Sequence, residues 1–251
     1  MQSNGIVFIA LAFAATGYAQ AQDLSGTCHA SSSYDLTVAS DSLVFDRAGP
    51  APRQIQLHNG KLGIDGAPVH LNTEDRDRLA LFEQQLRALV PKARGVADNG
   101  VDLAVKAVRA ETAGLGVSAD TQAQLDAKLA ARGAELKRRI AASISTHDWQ
   151  GDAFDRYADD IAADIAPLLA ADLAQQAVSA AVNGDLDAAA SLRDRAADLT
   201  SDLRPRLERR MQALRPQVQA LCPSIKRLYE LQRDVRGANG RPLDLLDIEK
   251  K

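Results

Sequence analysis

The side chains able to do chemistry in this chain are few and scattered. His29, His58, His70 and His147 stand singly, and no two have the i, i+4 spacing that sets a pair of imidazoles on one helix face for a metal. Asp155, Asp159, Asp160 and Asp164 place carboxylates about one helical turn apart, a geometry for holding a divalent cation or for acid and base work. With no histidine beside them, a solvated helix flank is the simpler reading. His147-Asp148-Trp149 is the one dense polar and aromatic group; it can orient a substrate, or it can cap the end of a helix. No serine lies in a G-x-S-x-G elbow, and no P-loop or G-x-G-x-x-G follows a strand. The sequence therefore assigns no catalytic, cofactor-binding or metal-ligating residue and calls for no cofactor. A hydrolase centred on His147 and Asp148 is the remaining enzymatic alternative.

Cys28 and Cys222 are the only cysteines. Residues Ile6 to Ala15 form an apolar run of signal-peptide length, and Ala19-Gln20-Ala21 supplies a small-x-small cleavage site, so a mature chain from Gln22 is expected. Met1 to Gly5 holds no Lys or Arg, which leaves a displaced start or a signal anchor as alternatives. Ser25-Gly26-Thr27 before Cys28 is a poor lipidation box. Two cysteines in an exported chain favour one structural disulfide; a redox pair is disfavoured because no C-x-x-C or flanking basic cluster lowers a thiol pKa. Leu168 to Val182 comes nearest to a later membrane span but is interrupted by Asp172, Gln175 and Gln176, so a soluble mature protein is expected.

The net charge of −3 hides a segregation. Asp148 to Asp202 carries 12 acids against Arg156, Arg193 and Arg195, a balance of −9; Leu203 to Arg241 carries 10 bases against three acids, a balance of +7. Helices of opposite sign that fold back on each other attract along their polar edges, and that pairing needs no ligand. The alternative is an outward-facing basic surface of Arg204, Arg206, Arg209, Arg210, Arg215, Lys226 and Arg227. In an exported protein it would take lipid headgroups, lipopolysaccharide phosphates or an acidic protein surface, and not nucleic acid.

The elements that position these residues divide at about residue 72. Upstream, Tyr34–Val38, Ser42–Asp46, Arg53–His58, Lys61–Ile64 and Pro68–Leu71 alternate apolar and polar side chains, and Asn59-Gly60 and Asp65-Gly66 mark tight hairpin turns. Downstream, Asn72 or Thr73 caps a helix whose apolar stripe is Leu79, Phe82, Leu86, Leu89, Ala93 and Val96. Pro91 either kinks it or divides it. Further helices open near Ser118 and Asp152, stop at Asn183-Gly184, and continue from Asp185 to about Val235 as segments punctuated by Pro205, Pro216 and Pro223. Hydrophobic residues are 46% of the chain, enough for a core, while aromatics at 4% favour helices packed through small side chains over a roomy ligand cavity.

Leu71, Asn72, Arg76, Phe82, Leu86, Arg87 and Pro91 fall in an order and spacing that resembles the YggN-like family, signal-bearing periplasmic proteins of Gram-negative bacteria whose activity is not established. The resemblance covers most of the mature chain, including one cysteine near each end. It implies a compartment and a layout, and carries no active-site roles.

The fold expected is α+β, a small N-terminal antiparallel β-meander packed on an elongated antiparallel helical bundle. The divisions are a signal peptide at 1–21, the meander at 22–72, the bundle at 73–236 and a flexible tail at 237–251. The function expected is a non-catalytic binding or structural role in the cell envelope, exercised through the helical surface on a periplasmic protein or envelope component. The runner-up is an anionic lipid or lipopolysaccharide binder making peripheral membrane contact through the basic C-terminal helix.

Overall fold

A computed structural model describes residues 24–149, 153–237 and 240–249, with side chains left undescribed at 24–25, 149, 153–162 and 196–208. The expected signal peptide lies outside the described residues. The chain forms two compact units: one of Met1–Ala97, Ala142–Phe154 and Leu214–Lys251, the other of Asp98–Ala141 and Asp155–Ala213.

The first unit contains the expected meander. Strands β2 (Asp35–Val38), β3 (Leu43–Asp46), β4 (Gln54–His58), β5 (Lys61–Ile64) and β6 (Ala67–Val69) pair antiparallel in sequence order. They follow a short helix α1 (Leu24–Cys28) and strand β1 (Ala30–Ser31). The register places Leu43 opposite Leu57 and Phe45 opposite Ile55, so one face of the sheet is a continuous apolar layer. Asn59 and Gly60 (φ 50° and 74°), and Asp65 and Gly66 (φ 49° and 80°), make the two-residue turns, whose left-handed backbone matches the twist of the flanking strands.

Helix α2 (Thr73–Ala113) starts where the carboxamide of Asn72 accepts from the Asp75 N–H at 2.7 Å. It runs through Pro91 without a break. Leu79 and Phe82 are fully buried and Leu86, Leu89 and Ala93 nearly so, in one core with Leu43, Phe45, Ile55 and Leu57 of the sheet. Phe45 and Phe82 meet at 6.2 Å between ring centroids. Each such large side chain contributes about 1.5–3 kcal/mol by leaving water. The remaining wall of that core is helices α6 (Arg215–Gln219) and α7 (Cys222–Gln232), through Val218, Leu221, Ile225 and Leu228. Pro216 and Pro223 are the second residues of these helices, in the first turn, where the missing N–H has no intrahelical partner to lose.

Cys28 and Cys222 form the expected disulfide, with their Cα atoms 5.2 Å apart. The C-terminal segment corrects the sequence reading, which had it as a flexible tail. Leu243, Leu245 and Leu246 are buried, and strand β7 (Asp247–Ile248) pairs antiparallel with β1. The physical reason is Gln232, 1% exposed, whose side-chain oxygen accepts from the N–H of Leu245 at 2.7 Å and of Leu246 at 3.2 Å while its amide donates to the Leu246 carbonyl. Those bonds satisfy the backbone that the three leucines carry into the core.

The second unit holds the rest of α2, α3 (Ala119–Ala142), all but the first residues of α4 (Ala153–Val182), and α5 (Leu186–Met211). Its core is small: Leu125, Leu129, Ile165 and Leu169, flanked by Val105 and Val108. Gly133 of α3 lies where a Cβ would come within 3.2 Å of Val105, so these helices approach closely through small side chains. Gly184, at φ 80°, ends α4: its N–H donates to Ala181 and that of Asp185 to Ala180. The Asp185 carboxylate then caps α5 through the Ala188 N–H at 3.0 Å.

Candidate functional site

Of the polar groups singled out from sequence, His147, Asp148 and Asp164 make structural contacts. Residues 143–148 run beside strand β2: Val38 donates its N–H to the Ile144 carbonyl at 2.8 Å, and Leu36 donates to the Thr146 hydroxyl at 2.9 Å. One open edge of the sheet is covered in this way, and the other carries Pro68. Asp148 holds the corner. Its carboxylate accepts from the N–H groups of Ile144 and Ser145 at 3.3 and 3.2 Å and from the Ser143 hydroxyl at 3.0 Å. His147 Nε2 lies 3.3 Å from Asp35, and the Ser145 hydroxyl accepts from the His147 backbone N–H at 3.2 Å. Ser145, His147 and Asp35 are thus neighbours, but the serine oxygen is bonded to the His147 backbone and to Thr37 at 3.0 Å. A general base must instead hold the nucleophile's own proton. The arrangement builds a chain corner. The side chain of Trp149 lies outside the described residues.

Of the four aspartates on α4, Asp155, Asp159 and Asp160 have side chains outside the described residues. Asp164 pairs with Arg132 of α3, and the hydrogen bond from Arg132 holds its carboxyl below the usual range. Asp172, which interrupts the apolar run Leu168 to Val182, is the polar anchor of the second unit. Burial opposes its ionisation, but it accepts from the Ser118 N–H at 2.9 Å, the Ser118 hydroxyl at 2.5 Å, the Thr121 hydroxyl at 3.0 Å and the Gln176 amide at 2.6 Å. Those bonds outweigh burial, and its carboxyl is held below the ordinary value. Among the described residues, no group of three or more His, Cys, Asp or Glu side chains is placed to hold a metal ion.

The basic set divides between the units. Arg209 and Arg210 belong to the second; Arg215, Lys226 and Arg227 belong to the first. The side chains of Arg204 and Arg206 lie outside those described. Arg210 binds Glu111 of α2 at 2.7 Å, and Arg227 pairs with Glu230 at 3.5 Å. Arg209, Arg215 and Lys226 are exposed. Of these described pairs, Arg210 reaches α2, Arg227 stays within its own helix and Asp164 of the acidic stretch reaches α3.

One surface was not anticipated. Along α4, Ala163, Pro167, Ala170, Ala174, Val178 and Val182 are all exposed, at spacings of three and four, on the side away from Ile165, Leu169 and Leu173. Val178 is 64% exposed, Val182 81% and Leu186, just past the turn, 70%. Ala163–Val182 is long and apolar enough to cross a membrane by length and composition, yet Asp164 within it is bound to Arg132 of α3 and Asp172 to Thr121 of α3 and to Ser118 just before it. Both charges are turned to neighbouring helices, so this flank presents none.

Residues 28–243 match a family model described as Protein of unknown function (DUF2884). The chain belongs to this family. Neither a curated protein nor a solved structure matches it. The matched stretch begins at the disulfide half-cystine Cys28 and ends at buried Leu243, so it takes in the five-stranded sheet and helices α2, α6 and α7 of the first unit's core and stops short of Leu245, Leu246 and β7.

Proposed function

We infer that this is an exported, non-catalytic protein of the cell envelope, of the YggN-like periplasmic kind, that binds through its helical surface. The observation that carries the reading is the uncharged flank of α4, which leaves Val178, Val182 and Leu186 in solvent. Apolar side chains grouped in this way mark interaction surfaces in soluble proteins. The apolar run at Ile6 to Ala15 and the disulfide Cys28–Cys222 support export. The test is a photo-crosslinking amino acid placed at position 178 in intact cells, with fractionation of the periplasm. Crosslinks from position 178 and none from exposed Lys92 are expected; a cytoplasmic protein, or equal yields at the two sites, would overturn the reading.

Exposed Arg215 and Lys226 of the first unit, which have no carboxylate partner among the described residues, favour anionic lipid or lipopolysaccharide phosphate as the second reading. Binding to phosphatidylglycerol vesicles should then weaken as salt rises. No binding, or binding indifferent to salt, removes it.

A further inference from the structure

We propose that the exposed flank of α4 is a self-recognition surface, and that a second copy of this chain covers it in a weak antiparallel two-fold dimer. The proposal rests on the binding reading above and names the partner.

The face is built to accept itself. A two-fold axis crossing α4 between Asp172 and Leu173 sets Ala163 opposite Val182, Pro167 opposite Val178 and Ala171 opposite Ala174. Larger side chains thus meet smaller ones at the ends, and alanines meet at the crossing, where small residues permit close approach. Like charges are the usual obstacle between identical surfaces, and here they are absent from the seam. Asp164 is held by Arg132 and Asp172 by Ser118, Thr121 and Gln176. The exposed polar residues of this flank are uncharged Gln175 and Ser179, and the Ser179 hydroxyl is bonded to its own helix at the Gln175 carbonyl, 3.0 Å away.

Size sets the strength. A helix of this length is about 30 Å long and about 10 Å across, so covering one flank removes on the order of 500 Å² from each copy. The total of about 1,000 Å² is the least that a specific interface needs, which places the dimer among weak, transient associations. A lipid surface fits worse: the sequence from Tyr157 to Leu192 holds no Lys or Arg, and alanine gains little by entering a bilayer, whereas helices that lie on membranes carry basic residues and large apolar ones. Exposed Asp185 and Asp187 flank the seam at the α4–α5 turn, so salt should strengthen the association.

The test is sedimentation of the full mature protein from about 1 to about 200 µM, a span in which a weak dimer becomes populated. A monomer–dimer equilibrium is expected, tightened by salt and weakened at least about tenfold by Val178→Glu, a change at an exposed position that should leave helicity intact. An equimolar mixture of Ala171→Cys and Ala174→Cys should crosslink faster than either alone. A monomer throughout the range, or a dimer indifferent to Val178→Glu, overturns the proposal. A monomer that still crosslinks another protein from position 178 overturns the second copy and retains the binding reading.

Discussion

At Gly60 the smallest side chain decides whether sheet and helix can meet. Its φ is 74°, and a Cβ there would lie 2.4 Å from the Arg76 carbonyl oxygen of α2, an atom fixed in the helix backbone. Glu83, 6% exposed, holds the same turn by accepting from the N–H of Asn59 at 3.1 Å and of Gly60 at 2.8 Å. Gly66 has a similar φ of 80° with nothing within 4 Å of its absent Cβ, so the two turns form a controlled pair. Gly66→Ala should cost only the left-handed backbone penalty of about 1–2 kcal/mol. Gly60→Ala must add displacement of α2, and a loss of roughly 3 kcal/mol or more is expected. Urea unfolding of the two variants checks this, and equal costs would mean that the turn does not press on the helix.

At the scale of elements, the strands were legible because period-two alternation and the dipeptides Asn59-Gly60 and Asp65-Gly66 fix both pairing and turn. The sequence reading located five strands to within a few residues of those observed. It missed the contacts that join elements, and the three most important share one signature: a polar residue on an apolar seam. Glu83 follows Phe82 on the α2 stripe; Gln232 falls in step with Leu221, Ile225, Leu228 and Val235; Asp172 sits among Ile165, Leu168 and Leu169. Periodicity marks such positions as facing inward, but the partner groups, Gly60, Leu245 and Ser118, belong to other elements, and local pattern does not carry that pairing. Asp172 gives the element scale its prediction. Its carboxyl is lowered in the folded chain from an ordinary value of 3.8, so its contribution is complete above that value and lost as pH falls through the folded one. Amide protection in α3 and α4, taken relative to the intrinsic exchange rate at each pH, should therefore fall below about pH 4 as the carboxylate is protonated. In Asp172→Asn, exchange should be fast already at pH 7 and its acid dependence smaller; an unchanged profile would show that Ser118 and Thr121 do not depend on this carboxylate.

For the whole molecule, the order of segments makes one covalent bond disproportionately important. The first unit is assembled from three stretches of chain, and the two stretches of the second unit alternate with them in the sequence. Its core, from Leu43 and Phe82 to Ile225 and Leu245, can form only when chain ends some two hundred residues apart have met, and closing that distance is an entropic cost borne before any contact compensates. The disulfide, spanning 194 residues, removes most of that cost from the unfolded chain, by as much as about 5 kcal/mol in the chain-entropy model. The second unit gains nothing comparable: its pieces are joined by Arg132 to Asp164 and Ser118 to Asp172, and neither cysteine lies in it. Reduction, or the paired change Cys28→Ser with Cys222→Ser, should therefore act unequally on the two units. The first unit's sheet and its β1–β7 clasp should lose protection in amide exchange and expose the C-terminal segment to protease, with the denaturation midpoint falling by the equivalent of about 3–5 kcal/mol. Helices α3 and α4 should keep most of theirs. If both units melted together on reduction, the folding of the second would depend on the first, and the disulfide would stabilise the chain as a single cooperative body.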